Sequence, residues 1–281
     1  MEEKETLQYS IWDPTGNITA LVESTVAVEE QPTAAAALMQ RHPEVEQVGF
    51  LRFPDRADHS GVQAELRMAG GEFCGNASMS AAALCLLRQG APGGTETMPE
   101  LVRIRVSGVE EPVTVRLRRE GLNSFRARVH MPTPQSIGER VFAFEGVSGR
   151  LPLVCLEGIS HLLVGPDTAF APLLRDRPAA ERAVRAWCAE LKADGLGLMF
   201  LSDEEGTWHL TPLVYVPGSG TVFWENSCAS GSAAVGMALA ARAGKPVQLE
   251  LREPGGWLQV ESAPNGGATW LGGRTRRTAR F

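Results

Sequence analysis

Apolar and polar residues alternate through much of this chain in short runs, and the alternation predicts strands. LQYSIW and ITALV are joined by the turn sequence DPTGN, and VGFLRF and ELRMAGGEF follow a helical segment, PTAAAALMQRH. LVRIRVSG, PVTVRLRR and FRARVHM complete a first series of strands and run into PTPQ. A second series comprises LVCLEG, SHLLVGP, GLGLMFLSD and WHLTPLVYV, interrupted by the amphipathic helix ERAVRAWCAELKADG. PVQLELREPGGWLQVES then reads as a hairpin on its Pro-Gly-Gly turn.

Two stretches stand apart. GGEFCGNASMSAAALCLLRQG and ENSCASGSAAVGMALAARAG each place a cysteine, Cys74 or Cys228, at the start of an alanine-rich helix that ends at glycine. The order strand, cysteine, small-residue helix, glycine stop and hairpin therefore occurs twice. A duplicated α+β unit is the economical explanation. The Pro-rich stretch MPTPQ is the natural boundary, giving halves 1–133 and 134–281, the C-terminal tail being free to pack back on the first half. Duplicated halves facing each other across a cleft would bring the two distant thiols together.

A cysteine at a helix N-terminus lies at the positive end of the macrodipole, beside unpaired backbone N–H groups, and both favour thiolate over thiol. The same N–H groups form an anion site suited to a carboxylate. Two such sites acting on one amino acid would allow one thiolate to remove the α-proton while the opposing thiol protonates the other face. Only one sulfur of such a coupled pair is ionised at a time. Cys85 and Cys188, on apolar helix faces, and Cys155, within LPLVCL, read as core residues.

Composition narrows the alternatives. Hydrophobic residues make up 43% and charged residues 21%, which supports a packed core and argues against disorder. A net charge of −6 argues against nucleic acid or an acidic membrane as partner, and the basic end GRTRRTARF reads as a solvated edge. No apolar run approaches the roughly 20 residues that span a bilayer, and MEEKETLQYS lacks the features of a signal peptide, so a cytoplasmic location is expected. The five scattered cysteines fit neither a disulfide framework nor a zinc site, so no metal is expected. Lys4, Lys192 and Lys245 offer no setting for a pyridoxal Schiff base, and there is no Walker loop or GxGxxG fingerprint, so the chemistry is expected to need no cofactor.

At Cys74-Gly75-Asn76 and Cys228-Ala229-Ser230-Gly231 the sequence resembles the diaminopimelate epimerase superfamily of cofactor-independent, two-cysteine racemases. The segments PTGNITALV, EQVGF, GEFCGNASMS, VSG, VYVP, FWENSCASGS and PGG resemble more closely the histidine racemases that feed staphylopine-type metallophores. The resemblance implies an α+β fold of two similar halves, each a mostly antiparallel sheet around a central helix, with the active site in the cleft between them. It implies Cys74 and Cys228 as acid/base thiols and a small-molecule amino acid, histidine foremost, as substrate. Asn17, Gln47 and Asn76 would contact the substrate's polar groups. Gly75, Ala229 and Ser230 would offer backbone N–H to its carboxylate. His161 would lie beside the pocket, Glu225 would orient the second loop or bind the ammonium, and Glu46 would accept from an imidazole ring. A homodimer is expected.

One departure bears on substrate. Diaminopimelate epimerases carry a Glu-Arg pair shortly before the second cysteine, where this chain reads Pro217-Gly218-Ser219-Gly220. Without that arginine a distal carboxylate would lose charge-assisted bonds worth about 1.5–3 kcal/mol each. Diaminopimelate is disfavoured. A racemase of another amino acid, or a non-catalytic amino-acid binder, remains the alternative.

Overall fold

The computed structural model describes residues 7–54, 61–90, 99–218 and 220–281; Lys4 and Ser219, named above, lie outside them. The chain is α+β and divides into two compact units, one comprising the residues up to Val129 together with Gly273–Phe281, the other His130–Gly272.

The first unit contains β1 (Tyr9–Pro14), β2 (Thr19–Val22), α1 (Gln31–Arg41), β3 (Gln47–Arg52), β4 (Ala64–Met68), α2 (Gly75–Arg88), β5 (Glu100–Val106), β6 (Val113–Arg119) and most of β7 (Ser124–His130). The second contains β8 (Ser136–Phe144), β9 (Val147–Leu156), β10 (Ile159–Val164), α3 (Arg177–Leu191), β11 (Leu196–Glu204), β12 (Thr207–Val216), β13 (Thr221–Trp224), α4 (Ala229–Ala243), β14 (Val247–Glu253) and β15 (Gly256–Ser262). The last strand, β16 (Thr269–Arg280), begins in the second unit and ends in the first.

The strands of each unit pair in mixed directions, and the two series follow one pairing order. From β1 to β7 the neighbours pair antiparallel, parallel, antiparallel, parallel, antiparallel, antiparallel. The series β9, β10, β11, β12, β14, β15, β16 repeats this order, with β13 as an added edge strand on β12. In the first unit the far end of β16 fits between β7 and β1 and closes an eight-stranded ring.

The ring encloses α2. This helix touches β1, β2, β4, β5 and β6, and 12 of its 14 residues are buried, so no face is left for water. Its alanines and serines explain how a helix fits where strands surround it, and Ser80 Oγ bonds Thr275 Oγ1 of β16 at 2.8 Å. In the second unit α4, equally rich in Ala, Gly and Ser, touches β8, β9, β10, β11, β14 and β15. The larger side chains pack on the outer faces. Leu38 of α1 joins Tyr9, Ile11, Val22, Val48 and Phe50. Trp187 of α3 packs against Phe142 and Phe170, with ring centroids 5.3 and 4.8 Å away. Asp176 starts α3 by accepting from Ala179 N–H at 3.0 Å.

Three strands, β8, β13 and β16, are absent from the sequence reading. β8 has no apolar alternation to reveal it, because only Phe142 on it is buried. The basic C-terminal segment is no loose edge but the closing strand of the ring. Its inward side is supplied by the fully buried Thr275, and its arginines pair within the unit, Arg274 with Glu120 at 3.0 Å and Arg276 with Asp13 at 3.8 Å.

Gly108 shows how local sequence positions the first cysteine. It has φ +77°, and a Cβ there would collide with the backbone of Glu72 and Phe73, which leads into Cys74. The preceding Ser107 accepts from Met68 N–H and donates to Glu72 C=O, each at 2.9 Å. Gly108→Ala combines left-handed strain of about 1–3 kcal/mol with that backbone collision. Urea unfolding should show a lower midpoint for this variant, by more than about 1 kcal/mol of stability.

Candidate active site

Each thiol stands at the N-cap of a buried small-residue helix. Cys74 caps α2 with φ −133° and ψ 111°, and Cys228 caps α4 with φ −122° and ψ 100°. The extended backbone at these positions turns the side chain back over the first helical turn. Cys74 Sγ accepts from Ala77 N–H at 3.3 Å, and the Cys74 carbonyl accepts from the Ser78 hydroxyl at 2.6 Å and the Ser78 N–H at 3.0 Å. The Cys228 carbonyl likewise accepts from Ser232 N–H at 2.9 Å. Both cysteines are free thiols.

In the first unit Asn17, Glu46, Gln47 and Asn76 form one polar network. Asn17 follows the β1 turn and donates from Nδ2 to Glu46 Oε2 at 2.7 Å. Its Oδ1 accepts from Gln47 Nε2 and, at 3.3 Å, from Asn76 Nδ2. Parallel pairing of β2 with β3 sets Thr19 opposite Gln47, while Asn76 comes from the first turn of α2 beside Cys74 and Gly75. Side chains far apart in sequence are thus gathered around one helix start.

The second unit gathers His161, Glu225, Cys228, Ala229 and Ser230. His161 Nε2 is 2.9 Å from Ser230 Oγ, which is 3.7 Å from Cys228 Sγ. His161 is fully buried, and its Nδ1 is without a hydrogen-bond partner. Burial lowers its pKa to about 3, so the ring is neutral. A neutral ring with Nε2–H donating to Ser230 leaves only a bare lone pair at Nδ1, less costly than a buried N–H.

The expected preference for thiolate is reversed at Cys228. Burial pushes this thiol well above its ordinary range, and the Glu225 and Glu253 carboxyls push it further. A hydrogen bond to Glu225 holds the proton on sulfur, while the Gly231 backbone N–H acts the other way. Burial and the two carboxyls together favour the protonated thiol at Cys228. Desolvation at 6% exposure outweighs the helix start.

Glu253 was not foreseen. It is 1% exposed, and burial raises its carboxyl to about 8. The signal lay in strand phase, since β14 turns Leu251 and Glu253 inward while Arg252 faces solvent. Among the other thiols, Cys85 and Cys188 are buried, and burial pushes Cys85 to about 12. Cys155 is only half-buried, because β9 turns Val154 and Leu156 inward, and it does not belong to the core. Among the described residues no cluster of three or more His, Cys, Asp or Glu could hold a metal ion, and no helix is long and apolar enough to cross a membrane.

Solved structures share the fold. The chain is similar to a hydroxyproline epimerase from Agrobacterium vitis bound to trans-4-hydroxy-L-proline, with TM-score 0.65, 16% identity and coverage of 100% of this chain and 93% of that one. It is similar to a predicted epimerase from Pseudomonas aeruginosa at TM-score 0.65 and 18% identity, covering 98% of each chain. The fold is that of the racemases and epimerases. A histidine racemase of Fusobacterium nucleatum is 28% identical over 254 residues, 88% of this chain and 85% of that protein. A histidine racemase of Staphylococcus aureus is 28% identical over 235 residues, 83% and 80% of the two chains. The profile of the histidine racemase CntK N-terminal domain matches residues 6–269. The chain belongs to this family and is an isomerase, an amino-acid racemase.

The neutral, buried His161 gives stability a definite dependence on acid. Its folded pKa, about 3, lies below the ordinary 6.5, so the unfolded chain takes up a proton that the folded chain refuses. Stability should therefore fall as pH drops from 6.5 toward 3. In His161→Gln, which retains a donor toward Ser230, urea unfolding across this window should show a shallower loss.

Proposed function

We propose that this chain interconverts L- and D-histidine without a cofactor, with Cys74 and Cys228 as its two acid/base groups. The observation that carries the reading is the repeated N-cap setting of the two cysteines on buried small-residue helices. In the proposed reaction a thiolate removes the α-proton of the bound amino acid, and the other thiol delivers a proton to the opposite face. Afterwards the sulfurs have exchanged protonation states, which suits the enzyme to the reverse direction. The upward push on the Cys228 thiol favours it as the proton donor of the proposed pair.

First-turn N–H groups at Gly75, Ala229 and Ser230 are proposed to receive the substrate carboxylate. The Asn17–Glu46–Gln47–Asn76 network would supply acceptors and donors for the ammonium and imidazole groups, and Glu225 would serve the ammonium or the second loop. Histidine is favoured by the named relatives and by the absence of arginine at 217–220, where a distal carboxylate would need one. The segment resemblance also supports a cytoplasmic homodimer that supplies D-histidine to an opine-type metallophore.

Cys74→Ser and Cys228→Ser should each lower histidine racemisation by about 10²–10⁴-fold, as expected for loss of one acid/base group. Chiral chromatography of L-histidine incubated with each variant reads the effect. Full activity in either folded variant would contradict the two-thiol reaction. Binding of histidine without turnover by the wild-type protein would point to another amino acid as substrate.

A further inference from the structure

The Glu253 carboxyl group is a strongly buried acid that the two-thiol reaction does not use. It ends β14 and is followed by the turn Pro254-Gly255-Gly256, which docks on the segment leading into α4. Gly255 N–H donates to Asn226 C=O at 2.7 Å, and Cys228 N–H donates to Glu253 Oε2 at 2.7 Å. The Ser232 hydroxyl, in the first turn of α4, donates to Glu253 Oε1. One carboxyl group therefore grips both the backbone of the cysteine and the turn that follows it.

Comparison with the first unit shows that this grip exceeds what fastening requires. There the carbonyl two residues before the cysteine, Glu72 C=O, is held by Ser107 at the end of β5. In the second unit the corresponding Asn226 C=O is already held by the turn backbone at Gly255. The carboxyl of Glu253 is additional, and it places a titratable group next to the thiol.

We propose that Glu253 is a positioning residue for Cys228, fixing the cysteine at the helix start and setting, through its own charge, how readily the thiol gives up its proton. The proposal rests on the reading of Cys228 as an acid/base group. The groups around this pair are Glu225, Ser230, the Gly231 N–H and Ser232, with neutral His161 behind Ser230. Ionised Glu253 adds a second negative charge beside that of Glu225 and keeps Cys228 protonated. Protonated Glu253 removes that opposition while its Oε2 still accepts from the Cys228 N–H. Its pKa of about 8 puts the change within the pH range of ordinary assays.

The Cβ chemical shift of ¹³C-labelled cysteine, followed by NMR from pH 6 to 11 and assigned with Cys228→Ser, reports ionisation of Cys228 without reagent access or turnover. Glu253→Gln keeps an acceptor for Cys228 N–H and a polar contact for Ser232 but removes the charge. Its Cys228 titration should move down by about one pH unit, a tenfold change in thiolate-to-thiol ratio. An unchanged Cys85 signal certifies the fold. A Cys228 titration superposing on wild type, with Cys85 unchanged, would overturn the proposal. Should the variant disturb Cys85, the wild-type profile decides, because coupling to Glu253 requires an inflection near pH 8 in the Cys228 signal, and its absence contradicts the proposal. Racemisation by Cys228→Ser is a separate reading; activity there would remove the acid/base role of Cys228 and leave the titration result standing.

Discussion

A helix surrounded by strands has to be thin, and the rest of this structure follows from that constraint. α2 and α4 meet it with alanine, serine and glycine, so neither can offer a conventional apolar stripe. Enclosure creates a second demand, because the first turn of a buried helix has N–H groups that water does not reach. At α2 the Cys74 sulfur and carbonyl take part in closing that turn, and at α4 the Cys228 carbonyl does so. The device that completes a buried helix thus also places a thiol beside backbone donors suited to a carboxylate.

The two copies of this device differ in their surroundings. Cys74 is partly accessible and neighbours an uncharged set of amides with one carboxylate, Glu46, behind them. Cys228 is more deeply buried and has two carboxyl groups at hand, Glu225 and Glu253. A buried thiol facing negative charge retains its proton, whereas the helix terminus alone would have released it. Gly231 contributes sterically as well, since a Cβ there would press on Met199 and on the Cys228 sulfur. Small residues after the cysteine therefore serve the packing of the thiol itself.

Much of this was legible in the sequence, for identifiable reasons. Strands with alternating side chains, such as Val102, Ile104 and Val106 of β5, announce themselves, and so do the alanine-rich helices. β8 and β16 did not, because one has a single buried side chain, Phe142, and the other packs inward with Thr275 between arginines. Motif resemblance singled out Cys74, Cys228, Asn17, Gln47 and Asn76, which the fold gathers at the two helix starts, but a motif says nothing of Glu253, whose burial depends on strand phase. Which thiol of the pair keeps its proton was not legible for a related reason. Helix-end electrostatics can be read from order along the chain, whereas desolvation depends on what folds over the residue.

Exchange of the histidine α-proton through the two thiols is tested most directly by proton NMR in D₂O. With reduced protein, the α-proton signal of L-histidine should disappear as D-histidine forms, and prior alkylation of the thiols should stop the exchange. Retention of the α-proton during conversion to D-histidine, or exchange that survives thiol alkylation, would contradict the account.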